Sequence, residues 1–217
     1  MTSEQLPGPS DAPDADRDIA AIAAQLGRVP RGTRGVAHRC PCGNPDVVET
    51  APRLPDGTPF PTLYYLTCPR AASLIGTLEA GGVMKDQSAR LAEDPELAAA
   101  YRRAHEDYIA RRDAIEVLEG FPSAGGMPDR VKCLHVLVGH ALAAGPGVNP
   151  LGDEAIGMLE DWWAKGPCVS PAEVDAAAGR VARNRAKGTD HAAVIAAKEQ
   201  KAAERAEKKR QAQEEDR

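Results

Sequence analysis

Two histidines, a cysteine and two cations lie within one apolar stretch between Met127 and Ala144: Arg130, Lys132, Cys133, His135 and His140. A thiol among imidazoles suits nucleophilic, acid–base or metal chemistry, and neighbouring Arg and Lys suit anion binding. Composition and periodicity predict one helix over the whole stretch, apolar almost all round, with Pro128 near its start. Each polar group inside such a helix needs a partner, a metal or a ligand, because leaving it buried and unpaired costs roughly 1–3 kcal/mol. At about 100° per residue, Cys133, Leu137 and His140 share one stripe, while Lys132 and His135 face elsewhere. Cys133 and His140 then stand about 10.5 Å apart along the axis, near enough to share a ligand and too far for a direct nucleophile and base pair. His135, His140 and Cys133 are the candidate catalytic residues; a hydrogen-bonded core imidazole is the plainer alternative for either histidine.

A second constellation is His38-Arg-Cys-Pro-Cys-Gly43 together with Cys68. A two-cysteine turn followed by Gly resembles half a zinc knuckle, although Cys40 and Cys42 are separated by one residue where knuckles have two. On a strand they point to the same face, and Cys68 ends a neighbouring candidate strand. Cys40, Cys42, Cys68 and His38 are the candidate metal ligands, with Cys133 an alternative fourth, and zinc is the metal that set would take. The competing reading is a group of ordinary buried thiols.

A third set suits anions. Arg28, Arg31, Arg34 and Arg39 cluster around the first strand, Arg70 follows Cys68 at a helix start, and Arg130 and Lys132 open the Met127 helix. Helix N-termini and guanidinium forks hold phosphate or carboxylate. Asn149 and Asp153 flank the last core helix, where they cap it, orient His140 or bind a metal. Arg70, Arg130, Lys132, Asn149 and Asp153 are the candidate ligand-binding residues.

The elements that must position these groups can be read coarsely. Residues 1–15 read as disordered, and Asp16 or Asp18 caps a short helix that Gly27 stops. Three strands follow, Gly35–Cys40, Val47–Thr50 and Pro61–Cys68, of which Thr62–Thr67 has the β-branched and aromatic density of a central strand. Pro69 opens a helix that Gly81-Gly82 ends, Met84–Leu91 adds a short one, and Asp94-Pro95-Glu96 starts a long charged helix to about Glu119. Gly125-Gly126 makes a hinge, and a last core helix runs from about Asp153 to Ala164. From Ser170 the chain is an Ala/Glu/Lys/Arg-rich helical tail with a capping box at Ser170–Glu173, a break at Gly188 and little to bury. The expected fold is α+β, a small antiparallel sheet of three strands packed with several helices. It occupies residues 16–169, with the charged tail over 170–217.

The chain has 217 residues and a net charge of −5. The acidic balance speaks against nucleic acid as a partner, and no apolar run approaches the ~18 residues of a membrane span. Five cysteines with no apolar leader at Met1–Asp16 point to reduced thiols and a cytoplasmic protein.

Three strings, Phe60-Pro-Thr-Leu-Tyr-Tyr-Leu-Thr-Cys-Pro69, Gly126-Met-Pro-Asp-Arg-Val-Lys-Cys-Leu-His135 and Gly147-Val-Asn-Pro-Leu-Gly-Asp-Glu154, carry a resemblance. From about Ile19 to Cys168 the chain resembles the actinobacterial family catalogued as domain of unknown function 501. That resemblance implies no activity. Two readings therefore stand open. In one, a Cys/His/Arg cleft binds or acts on a small anionic or phosphorylated ligand; in the other, a cysteine-rich, zinc-stabilised domain docks a protein partner. Whether the chain is an enzyme is not legible at this level.

Overall fold

Turn chemistry and caps set most of the element boundaries in the computed structural model, which describes residues 15–186. The order is α1 (Ala15–Leu26), β1 (Thr33–Arg39), β2 (Pro45–Thr50), β3 (Tyr64–Leu66), α2 (Pro69–Ala80), α3 (Val83–Glu93), α4 (Pro95–Asp113), α5 (Leu134–Ala144), α6 (Pro150–Gly157) and α7 (Pro171–Ala186). This is the expected α+β fold, with a three-stranded antiparallel sheet among the described residues. The expected disorder of residues 1–14, the break at Gly188 and the rest of the tail lie outside those residues.

Local signals explain the starts. Pro69 occupies the first turn of α2, and Asp94 caps α4 by accepting from the Glu96 and Leu97 amides at 3.0 Å each. Asn149 caps α6 by accepting from the Gly152 amide at 3.0 Å. Before α7, Ser170 and Glu173 form the reciprocal box: the Ser170 amide and hydroxyl both donate to Glu173 Oε2 at 2.7 Å, and the Glu173 amide donates back to Ser170 Oγ. Between β1 and β2 the Cys40 amide reaches the Asn44 carbonyl and the Gly43 amide reaches the Cys40 carbonyl, with Gly43 at φ 87°.

The strand order is β1-β2-β3, so β2 is central and β3 is an edge. That corrects the expectation drawn from the apolar density of Thr62–Thr67. β2 buries consecutive residues: Val47 joins the main core, and Val48 looks toward Ile22 of α1. Burial on both faces is what marks a central strand. The apolar character of β3 has another origin, because helices cover it. α5 packs across the sheet and approaches β3 so closely that a Cβ on Gly139 would stand 3.0 Å from the Tyr64 carbonyl oxygen. Tyr108 of α4 accepts the Leu63 amide at 2.6 Å, tying the approach of the strand to the long helix.

The largest correction concerns the Met127 helix. α5 begins only at Leu134, and the seven residues before it form an irregular loop. The amides that a longer helix would have paired along its own axis go elsewhere. Val131 donates to Ser88 Oγ (3.0 Å), Lys132 and Cys133 both donate to the Gly125 carbonyl (2.7 and 3.2 Å), and Leu134 donates to Glu79 Oε1 (2.7 Å). Gly126, at φ 95°, is packed so tightly inside this loop that a Cβ would meet the Arg130 carbonyl oxygen at 2.6 Å. Apolar residues at helical spacing, Met127, Val131 and Leu134, are all buried here, so burial alone imitates a helical pattern.

Two further boundaries shift. α4 ends at Asp113, short of Glu119, where the Ile115 and Glu116 amides both fold back on the Arg112 carbonyl. The last core helix is α6, begun by Asn149 and Pro150, and not a helix from Asp153 to Ala164. The tail also buries more than expected. Val174, Ala177 and Val181 of α7 pack against Ala20, Ala21 and Ala23 of α1, and Arg185 reaches Asp16 at 2.8 Å. Among the described residues no helix is long and apolar enough to cross a membrane.

Candidate functional site

Because α5 starts at Leu134, Cys133 is its N-cap residue, with extended backbone at φ −153° and ψ 110° and no side-chain capping bond. This changes where its sulfur goes. The 100° step that separates neighbours on a helix does not apply across an extended cap, and Cys133 comes round beside His135. Glu79, from the last turn of α2, completes the group: one donor atom from each of Glu79, Cys133 and His135 lies within 4.8 Å of the others. All three residues are partly exposed. His135 Nδ1 is 3.1 Å from Glu79 Oε1, and Nε2 is 3.2 Å from the Ala72 carbonyl oxygen. The Cys133 sulfur and the Glu79 carboxylate together raise His135 to about 9 against the opposing effect of burial. The expectation that His135 faces away from Cys133 is therefore overturned, and so is the stripe that Cys133 was to share with His140.

Sequence reasoning missed Glu79. A signal was present: an acid beside the C-terminus of α2, just before Gly81-Gly82, opposes the helix dipole. Its carboxylate is held in place by the Leu134 amide, the first N–H of the next helix in contact with it.

His140 sits apart from this group in a closed network. It is 0 % exposed, stacked on Tyr64 at a ring separation of 6.0 Å and set edge-on to Tyr108 at 5.2 Å. Asn149 decides its protonation. The Asn149 carbonyl oxygen accepts from the Gly152 amide, so its NH2 group is the end that faces His140 Nδ1, 3.3 Å away. Nδ1 is thus an acceptor, and the hydrogen sits on Nε2, which donates to Asp107 Oδ2 at 2.8 Å. Arg111 Nε donates to the same carboxylate oxygen at 2.6 Å. Both ring nitrogens are committed, and the ring has no exposed surface, so His140 is a structural imidazole in this conformation. Asn149 fills two of the roles foreseen for it, as helix cap and as the group that orients His140.

Burial lowers the His140 pKa below 6.5, while Asp107 pulls it upward. The folded chain stays neutral at this ring when the unfolded chain begins to take up a proton. Stability is therefore full above about pH 6.5 and declines below it until the folded imidazole itself protonates. His140→Gln keeps a donor for Asp107 and an acceptor for Asn149 but does not titrate. Urea midpoints between about pH 5 and 7 are expected to show a flatter slope in this variant than in the parent chain. Asp107, itself lowered from 3.8 by Arg111 and His140 against the effect of burial, adds a separate loss in stronger acid.

The remaining cysteines form pairs. Cys40 meets Cys42, and burial raises Cys40 to about 12. Cys68 and Cys168 hydrogen-bond, which holds Cys68 high and Cys168 low, at about 6. Gln25 Nε2 also donates to the Cys168 sulfur at 3.3 Å. His38 Nδ1 meets Asp46 Oδ1 at 2.7 Å. The foreseen four-ligand set of Cys40, Cys42, Cys68 and His38 does not converge: among the described residues, the group of three or more whose donor atoms gather is Glu79, Cys133 and His135. The reason lies in the fold, since Cys68 sits at the start of α2 and is turned toward Cys168, which no strand pairing would have indicated.

The foreseen anion-binding residues also separate. Arg34 and Arg39 pair with Glu49 and Asp18, Arg70 donates to the Gly166 carbonyl at 2.7 Å, and Asp153 accepts from the Gly147 amide at 2.8 Å. Arg130 and Lys132 differ. Both are exposed, and together with Thr62, Gly125, Gly126 and Asp129 they line a cleft of about 570 Å³ beneath the loop that precedes α5. Neither side chain forms an ion pair among the described residues.

A family model described as "Protein of unknown function (DUF501)" matches residues 36–157. That span contains the cleft, the Glu79–Cys133–His135 group and the His140 network, and leaves α1, α7 and Cys168 outside. No curated protein and no solved structure matches the chain.

Proposed function

We propose that this chain, which belongs to the protein family of unknown function DUF501, binds a small anionic ligand of the phosphate or carboxylate class in the cleft beneath the Gly125–Lys132 loop. One observation carries this reading. Arg130 and Lys132 both line the cleft without an ion-pair partner among the described residues, whereas Arg34, Arg39, Arg53, Arg90 and Arg111 each hold a carboxylate. An unpaired arginine beside an unpaired lysine presents a planar fork and a point charge to the same ligand. Asp129 stands on the same lining and limits the excess to one positive charge. That balance favours a small singly or doubly charged group over a polyanion such as nucleic acid.

A Cβ at Gly125 would press on Val136 and one at Gly126 on the Arg130 carbonyl oxygen, so backbone and not side chain forms this part of the cleft wall. Calorimetric titration with inorganic phosphate, acetate and succinate tests the reading. Arg130→Ala and Lys132→Ala are each expected to weaken the best of these by roughly tenfold or more, as the loss of a charge-assisted hydrogen bond does. Both residues are exposed, so unfolding midpoints should stay put. Affinity unchanged in both variants, or no binding of any of the three anions, rejects it.

A further inference from the structure

The geometry points to a second site, separate from the cleft: Glu79, Cys133 and His135 form a three-ligand centre for a divalent transition ion of the zinc class. The donor set is the first argument. A thiolate, an imidazole nitrogen and a carboxylate are the three ligand types zinc takes, and three protein ligands leave a fourth position for water or another small ligand. Their donor atoms already gather within 4.8 Å. Around a tetrahedral zinc with bonds of about 2.0–2.3 Å, neighbouring donors stand roughly 3.3–3.6 Å apart, so closure asks for side-chain rotation and no backbone movement.

The outer groups form the second argument. A metal-bound histidine usually gives its other ring N–H to a carbonyl or carboxylate, which fixes its tautomer. Here His135 Nε2 faces the Ala72 carbonyl oxygen at 3.2 Å and Nδ1 faces the centre, 3.1 Å from Glu79 Oε1. Glu79 has its own support in the Leu134 amide at 2.7 Å. Both ligands are thus aimed by backbone groups of α2 and α5, the two helices whose ends meet at this point.

Charge is the third argument. One thiolate and one carboxylate neutralise a divalent cation, so the loaded centre is neutral at its half-buried position. A zinc site was foreseen in the β1–β2 turn with Cys68. The converging ligands lie instead between two helix ends, with the sequence signature Cys-x-His at a helix start and a glutamate at the end of another helix.

Cobalt titration of the full chain, first freed of metal with a chelator, tests the assignment, because cobalt reports a bound thiolate by a sulfur-to-metal charge-transfer band. One equivalent per chain is expected, with zinc displacing it. Cys133→Ser should abolish the band, while Cys40→Ser, Cys42→Ser, Cys68→Ser and Cys168→Ser keep it. His135→Gln and Glu79→Gln should weaken cobalt by more than about 100-fold, beyond the range seen for losing an outer-shell partner. Circular dichroism identifies any variant that fails to fold, and the glutamine variants decide the matter if Cys133→Ser is one. Absence of saturable binding overturns the proposal. So does a band that survives Cys133→Ser, or one lost with Cys68 or Cys168 instead.

Discussion

Gly152→Ala is expected to cost about 3 kcal/mol or more, a large share of the roughly 5–15 kcal/mol that holds an average domain together. α6 crosses α5 at this residue, and the added Cβ would stand 2.4 Å from the Leu137 carbonyl oxygen and 2.9 Å from the Ala141 Cβ. These are atoms of a neighbouring helix backbone and its first side-chain carbon, so nothing flexible can swing aside. The helices must separate, and with them goes the Gly152 amide that fixes the Asn149 side chain. Gly157→Ala is the control, because nothing lies within 4 Å of a Cβ there. It should be neutral or slightly stabilising, as a helical Gly→Ala change is in open space. Urea midpoints of the two variants measure the contrast, and equal midpoints would sink the close-crossing account.

Asn149→Asp is expected to reverse the sign of the pH dependence. In the parent chain the amide gives His140 Nδ1 a donor and keeps the ring neutral. A carboxylate of the same shape still caps α6 by accepting from Gly152, but it faces Nδ1 with an acceptor. The ring must then take a second proton to satisfy both this carboxylate and Asp107, which raises its folded pKa above the unfolded value. Stability that rose with pH through the region near 6.5 now falls with it. Asn149→Ala loses both roles at once. It should cost about 2–4 kcal/mol, the sum of a lost cap and a buried ring nitrogen left without a partner. Unfolding midpoints from about pH 5 to 8 read the sign directly. A slope in Asn149→Asp that matches the parent's would mean that Asn149 does not set the His140 tautomer.

Much of the helical framework was legible because its ends are written in local chemistry. Pro69 and Gly81-Gly82 bracket α2, Asp94 caps α4, and the Ser170–Glu173 box opens α7. These signals act within a few residues and need no tertiary partner. The candidate site was harder because its defining bonds are long-range. Whether the helix extends back through residues 127–133 depends on Ser88, Gly125 and Glu79 capturing the amides of Val131 to Leu134, and none of these is visible from within the window. The geometry of Cys133 against His135 inherits that error, since an extended cap and a helical position point the same thiol in different directions. Glu79, 54 positions before Cys133, had no spacing relation to announce it. Sheet order failed for a related reason: the density of Thr62–Thr67 reports burial, and α5 supplies that burial as effectively as flanking strands would.

The pairing of α1 with α7 also bears on how the chain is made. Asp16 and Arg185 touch across 169 positions, and Arg180 reaches the Ala23 carbonyl, so the first described helix finds its companion in the last. During synthesis α1 leaves the ribosome well before the residues that cover its Ala20–Ala21–Ala23 side, which are Val169 and then Val174, Ala177 and Val181 of α7. The entropy of closing so long a loop rises slowly with length, by about 0.6 kcal/mol per doubling, but contacts of this separation form late. The two helices thus work as a buckle fastened over a body that already contains both candidate sites. A nascent chain stopped before Pro171 would leave that buckle open.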